Sequence, residues 1–372
     1  MTGRHSQGGP WTRLAIALAA VGALIAGIGV WATLSEDDDR CAPDASLVAP
    51  CGAWWGAYIP YDDDSSLTRP VYAFEKKIGR KLDLVYTYHD MSGSKADGEL
   101  LTPDERELGR ERLLMLAWES TVWTEKHHAN WTEKQLGWKN IAAGTYDTSV
   151  IDPQALRLKE YGKRVFFSFD QEADFRIEQG AGTPEEYVAA YRHVRDRFEK
   201  LGVTNVVWVW TVSGYLGNSA LMKRLYPGDE YVDWIGMDQY NYYLCHKSPN
   251  WLDFDKSQRP SYDWLRKNIS ADKPVMLSEF STAPDPKRPE RQRDWYTAIP
   301  KVAPTLPKVK AYVHWNRAVP GPGCDLTIDS GPGLDGYRIA GQDPYFGQPL
   351  PRRGAPPGGG GGPPPRPRTG PP

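Results

Sequence analysis

The sequence predicts an α/β fold, a (β/α)8 TIM barrel, on three observations. Eight short runs rich in apolar, β-branched and aromatic residues recur in order between residues 52 and 316. Stretches of helical periodicity fall between most of them. No glycine-rich fingerprint follows the first run, which argues against an open dinucleotide-binding sheet. Strands alternating with helices specify a parallel sheet, and eight such units favour closure into a barrel of roughly 250 residues.

The runs are GAWWGAYIP (52–60), LDLVYTY (82–88), RLLMLAWE (112–119), RVFFSFD (164–170), NVVWVW (205–210), YVDWIGMD (231–238), KPVMLSE (273–279) and VKAYVHWN (309–316). Each has the length and near-continuous apolar character of a strand buried on both faces. The clearest helix is TPEEYVAAYRHVRDRFEKLG (183–202). Thr183 is its N-cap, Pro184 takes the first helical position, and Glu186 completes a capping box. Tyr187, Val188, Tyr191, Val194 and Phe198 recur at helical spacing, and Gly202 stops the helix. TPDERELGRERL (102–113) and PERQRDWYTAIPKV (289–302) read in the same way.

Outside the barrel, residues 14–34 (LAIALAAVGALIAGIGVWATL) carry no charge. A helix of that length spans about 30 Å of hydrocarbon. Arg4 and Arg13 precede it and Glu36 to Asp39 follow, so the bulk of the chain is expected outside the cytoplasm. No small-residue cleavage pattern closes the run, and Cys41 lacks the preceding pattern of a lipoprotein. The expectation is a single-pass anchor in the cell membrane; cleavage, giving a secreted protein, is the alternative. The expected map is a basic cytoplasmic segment 1–13, the anchor 14–34, a linker 35–51, the barrel 52–349, and a Pro/Gly-rich tail 350–372. That tail buries too little surface to offset its ordering entropy and is expected to be disordered.

Four cysteines in an exported chain suggest two disulfides. Three pairings are open. Cys41–Cys51 would close a short loop before the first strand, and Cys245–Cys324 would join the loops after strands six and eight. None has zinc-ligand spacing. The net charge of -2 implies no nucleic-acid partner. The chain holds 15 Trp and 20 Tyr, rings that suit both a barrel core and the apolar faces of sugars.

The chemistry lies in two glutamates. Glu172 follows the fourth run and Glu279 closes the seventh. The residue just past a barrel strand lies at the catalytic face, and two carboxylates delivered there are the equipment of a glycoside hydrolase. The acid needs a raised pKa, with Phe175 and Trp210 as apolar neighbours of Glu172. The nucleophile needs donors, and Tyr240 is one for Glu279. Other candidates carry less. Asp62-Asp63-Asp64 reads as a solvated loop without EF-hand spacing, and His127-His128 lacks a third ligand. His89 and Asp90 either line the cleft or cap a loop. Tyr215, Tyr242 and Tyr243 either stack on sugars or pack in the core. Ser213 lacks a Gly-x-Ser-x-Gly setting.

These motifs resemble glycoside hydrolase family 26, a clan A group that includes β-mannanases, over most of residues 52–316. The matching stretches are Gly56-Ala-Tyr58-Ile-Pro60, Gln171-Glu172, Trp208-Val-Trp210, residues 226–241 (YPGDEYVDWIGMDQYN), Leu277-Ser-Glu279-Phe280 and Trp315. The resemblance implies that Glu172 is the acid/base and Glu279 the nucleophile, and that Trp315 floors the −1 sugar. Tyr58, Gln171, Phe175, Trp210, Tyr240 and Trp315 would line the substrate. The chain departs from the family pattern at Gln171, where a histidine is typical, and at Ala173-Asp174-Phe175. Gln can donate and accept hydrogen bonds but carries no charge. The resemblance implies a retaining, monomeric enzyme on a β-linked polysaccharide, mannan first, needing neither metal nor organic cofactor. A same-fold hydrolase of glucan, xylan or the cell's own exopolysaccharide, and a non-catalytic carbohydrate-binding barrel, stay open.

Overall fold

The computed structural model describes residues 41–62, 65–93, 98–124, 132–319 and 321–351. The expected anchor, the cytoplasmic segment, His127-His128, Asp63-Asp64 and nearly all of the tail lie outside them. Among the described residues no helix is long and apolar enough to cross a membrane. The chain divides into two units, residues 1–42 and 43–372; the second carries the barrel.

Eight parallel strands close on themselves: β1 (Trp54–Tyr58), β2 (Leu84–Asp90), β3 (Leu113–Glu119), β4 (Val165–Phe169), β5 (Val206–Val212), β6 (Trp234–Asn241), β7 (Val275–Thr282) and β8 (Val309–Trp315). Each strand pairs with its sequence neighbours, and β8 pairs back onto β1. All eight expected runs are strands, with ends shifted by a few residues. Helices follow each: α1 (Thr68–Ile78), α2 (Pro103–Leu108), α3 (Asp152–Tyr161), α4 (Pro184–Lys200), α5 (Ser219–Leu225), α6 (Phe254–Asn268), α7 (Glu290–Thr297) and α8 (Gly331–Gly341). The α4 capping box is present, with Glu186 N–H donating to Thr183 Oγ1 and the Glu186 carboxylate accepting from Thr183 N–H. Helix α2 has the same box at Thr102 and Glu105, but it stops at Leu108, short of the expected 113. The 289–302 stretch breaks into α7 and a short helix, Ile299–Val302. Pro300, lacking an N–H, fits only the first turn of a new helix.

Two apolar cores follow from strand alternation. Val85, Leu116, Phe167, Trp208, Trp210, Leu277 and Tyr312 face the helices. Trp54, Tyr86, Met115, Phe166, Val209, Trp234, Met276 and Val313 fill the barrel. Gly236 faces inward, where a Cβ would lie 2.3 Å from Thr211 Oγ1 and 2.4 Å from Ser278 Oγ, so only glycine fits. The stretch read as linker supplies the barrel floor. Leu47 and Ala49 are buried in the inner core, the Trp54 indole donates to Leu47 O (2.8 Å), and the Trp234 indole donates to Ser46 O (2.6 Å).

A disulfide joins Cys245, in the loop after β6, to Cys324, after β8. Cys41 and Cys51 are also disulfide-bonded, leaving no free cysteine.

Candidate active site

The polar, titratable end of the barrel is the C-terminal rim, where barrel enzymes carry their sites. Strand β7 delivers Glu279, but alternation alone would not. Met276 faces in and Leu277 faces out, so a regular strand would bring Ser278 in and turn Glu279 toward the helices. The register between β6 and β7 slips by one residue: Met237 pairs with Leu277, and Asp238 with Glu279. A bulge of this kind bends the strand and re-aims a side chain, and it places Glu279 beside inward-facing Asp238. Asp238 and Glu279 are 1% and 8% exposed.

Two phenols hold the Glu279 carboxylate. Tyr88 Oη, from β2, donates to Oε1 at 2.5 Å, and Tyr240 Oη, from β6, donates to Oε2. Tyr240 thus meets its expected role, while Tyr88 went unread although it ends the second run. Burial and the Glu279 charge keep both phenols un-ionised and able to donate. Burial raises the Glu279 carboxyl to about 7, with the Tyr240 and Tyr88 hydrogen bonds acting against that rise.

Glu172 is held differently. It follows β4 in a left-handed conformation (φ 52°), two residues after Asp170 in the same conformation (φ 51°). Such backbone is costly for non-glycine residues, and three interactions fix the turn. Asp170 N–H donates to Trp118 O, Glu172 N–H donates to Thr211 O, and Arg176 Nε donates to Gln171 O. Glu172 is half-buried and caps the short helix Ala173–Arg176. Burial first, then the Glu279 charge and then Asp174, push its carboxyl well above the usual range. Asp174 is fixed by Ser213 Oγ (2.5 Å) and Asn218 Nδ2 (3.0 Å), so its carboxyl is held near Glu172.

Gln171 Nε2 donates to Glu119 Oε1 at 2.5 Å. Glu119 closes β3 and also accepts from the Trp123 indole (3.0 Å) and Arg176 Nη2 (2.9 Å). Its run, RLLMLAWE, carries the same strand-end glutamate signal as Glu279, so Glu119 is a functional residue that the sequence analysis missed. Among the described residues Gln171 Oε1 has no hydrogen-bond partner, and no side chain donates to the buried Asp238 carboxyl, which has only the Glu279 backbone N–H beside it. Sugar hydroxyls have the donor chemistry to satisfy them.

The aromatic candidates divide. Tyr58 stacks on Trp315 (centroids 5.8 Å, 25°) and meets Tyr88 edge-on (4.8 Å). Trp315 is half-buried and meets Tyr240 edge-on (6.2 Å). These rings form a contiguous wall around Glu279. Phe175 is exposed rather than packed around the acid, and it stacks on exposed Tyr215. Trp210 corrects the expectation outright. It is fully buried, faces the helices and packs against Tyr226, because position 210 has the outward parity of β5. It neither lines the cleft nor flanks Glu172. His89 and Asp90 are structural. His89 Nε2 lies 2.7 Å from buried Glu105, and Asp90 accepts from Ser92 and Trp123 N–H. Among the described residues no acid, His or Cys cluster has metal-holding geometry.

Known proteins share this framework. Residues 149–255 match the family model for glycosyl hydrolase family 26. Endoglucanase H of Acetivibrio thermocellus is 29% identical over 77% of this chain, and a β-1,3-xylanase of a Vibrio species is 29% identical over 38% of it. The chain spans about 30% and 28% of the lengths of those two relatives. A ruminal endo-β-1,4-mannanase superposes with TM-score 0.54 at 16% identity, covering 78% of this chain and 63% of that one. A Bacillus subtilis mannanase gives TM-score 0.54 at 14% identity over 80% and 87%. The structural likeness establishes the barrel. The matched span holds Glu172, Asp238, Tyr240 and the whole 226–241 motif, and together these likenesses support a glycosyl hydrolase family 26 member.

Proposed function

We propose that this barrel hydrolyses a β-linked polysaccharide with retention of configuration. The observation that carries the reading is the unequal support of two carboxyls on one rim: Glu279 is held by two phenolic donors, while Glu172 is crowded by acids. The Glu279 carboxylate attacks the anomeric carbon as Glu172 passes its proton to the departing glycosidic oxygen. A covalent glycosyl-enzyme results. Glu172, now a carboxylate, takes a proton from water, whose oxygen attacks the same carbon and frees Glu279. Tyr240 and Tyr88 orient the nucleophile, and Trp315 with Tyr58 supports the sugar in the −1 position.

The substrate is a β-1,4-linked backbone, with mannan and glucan the two leading polymers. Mannan rests on the resemblance of the sequence motifs to those of family 26. Glucan is supported by the relative named an endoglucanase, which aligns over most of this chain; Gln171, where the family pattern has histidine, counts against mannan alone. We also place the barrel outside the cytoplasm, anchored by residues 14–34; the paired cysteines suit an oxidising compartment.

Reducing-sugar release from mannan, glucan and β-1,3-xylan, with Glu279→Ala as the blank, tests the reading. Release on one polymer, absent in the blank, names the substrate, and an NMR time course of the first anomer formed reports retention. Binding of a polymer without release by the unmodified protein would instead support a non-catalytic carbohydrate-binding barrel.

A further inference from the structure

Arg176 is 7% exposed and lies among acids. Its Nη2 reaches Glu119 at 2.9 Å, and its Nε reaches Asp170 at 3.0 Å and the Gln171 carbonyl at 3.2 Å. Its backbone N–H bonds back to Glu172 O, so the guanidinium belongs to the turn that presents Glu172. Glu119 sits at the end of β3, two strands from β1 in one direction and beside β4 in the other. Gln171 Nε2 ties it to the same turn. Two side chains of opposite charge, nearly closed to water, thus span the side of the rim that carries the acid.

We propose that the Glu119–Arg176 ion pair is a positioning pair, which clamps the Gln171–Glu172 turn and acts as an oriented dipole on the two site glutamates. The Arg176 charge outweighs that of Glu119 at Glu172, and the Glu119 charge outweighs that of Arg176 at Glu279. The dipole therefore favours ionisation of Glu172 and opposes that of Glu279, drawing the two titrations together. An acid that must give up its proton in one half-reaction and regain it in the next benefits from such a narrow gap. The remaining groups facing the two glutamates do not reproduce this. Asp174 and Asp238 are acids, and Tyr86, Tyr88, Tyr240 and Tyr242 are phenols held neutral by burial. Asp170 is shared with Ser120 and the Trp138 indole. Arg317, after β8, acts on Tyr58.

The purpose of the pair rests on the glycosidase reading; its test does not. The full chain is labelled with carboxyl-13C glutamate and titrated by NMR, with Glu172→Gln and Glu279→Gln assigning the two signals. Glu119→Gln keeps an acceptor for Gln171 and Arg176 but removes the charge. It is expected to lower both midpoints by about half a pH unit to one unit. Arg176→Gln is expected to raise both. The shift at Glu172 should be larger in Arg176→Gln than in Glu119→Gln, and the shift at Glu279 larger in Glu119→Gln than in Arg176→Gln. Unmoved midpoints in Glu119→Gln would overturn the proposal even where Arg176→Gln does not fold, and so would the reverse order at either glutamate. A purely structural pair would change stability without these opposite, site-selective shifts. Failure of the unmodified protein to release sugar would sink the glycosidase reading and leave the titration result standing.

Discussion

Glu172 and Glu279 are the same residue at the ends of two parallel strands, yet their surroundings differ in kind. Glu279 reaches the rim through a one-residue register slip and meets two phenolic donors there. Glu172 sits in a left-handed turn, and among the described residues none donates a hydrogen bond to its carboxyl. Its strongest neighbours are other acids. Donors favour the charged form and like charges favour the neutral one, so the same side chain is suited to the proposed nucleophile's role in one place and to the proposed acid's in the other. Position on the rim brings the two together, and their partners divide the labour.

The sharpest way to break this comparison is to remove Glu279, the proposed nucleophile. Glu279→Ala is expected to lower kcat on the responsive polymer by on the order of 10⁴-fold or more, and azide should restore turnover with inverted product. The same residue should trade stability for function. Its folded-state pKa, about 7, lies above the unfolded value of 4.5. The folded state therefore holds the proton more tightly, and stability is lost as pH rises from about 4.5 through about 7. Glu279→Gln avoids that loss. Its Tm should exceed that of the unmodified protein at pH 8, with a difference of up to about 3 kcal/mol in unfolding free energy, and should match it near pH 4. Equal differences at both pH values would show that Glu279 is not held near 7.

Glu172→Gln should cost about 10²- to 10⁴-fold on polysaccharide and far less on an aryl glycoside whose phenolate leaves unassisted. An equal loss on both substrates would remove Glu172 from the acid role. Smaller still are the phenols. Tyr240→Phe and Tyr88→Phe each delete one charge-assisted hydrogen bond, about 1.5 kcal/mol, or roughly one pH unit. Each should move the acid limb of the kcat/KM profile upward from about 7, toward higher pH because the charged carboxylate loses a donor. The alkaline limb, governed by Glu172, should stay.

The framework of this site was legible because strand-end position follows from pattern. Eight apolar runs locate the strands, and the paired glutamates lie two residues past run four and at the close of run seven. What escaped was fixed by geometry that pattern does not carry. The slip at Ser278 is invisible in KPVMLSE, and a strict alternation would have pointed Glu279 outward. Arg176 ends a four-residue helix with no periodic signal, and its partners Glu119 and Asp170 come from two different strand ends. Tyr88 and Glu119 carried a readable signal, each at the end of an identified run. The floor segment around Leu47 reads as linker because so short a stretch holds too little pattern to reveal its burial.

Trp210 and Trp315 give the mildest test, and it concerns parity rather than chemistry. Both stand on barrel strands, in β5 and at the end of β8. Trp315 faces the rim beside Tyr58 and Tyr240, whereas Trp210 faces the helix layer against Tyr226. Trp315→Phe should raise KM by removing the larger ring from beneath the sugar. Trp210→Phe leaves a gap in the outer core and should lower stability by about 1–3 kcal/mol, while KM on the same polymer and the pH profile stay unchanged. A KM effect at Trp210 equal to that at Trp315 would mean that the helix-facing side of β5 is coupled to the cleft, and that wall and site are less separate than the alternation of the strand makes them.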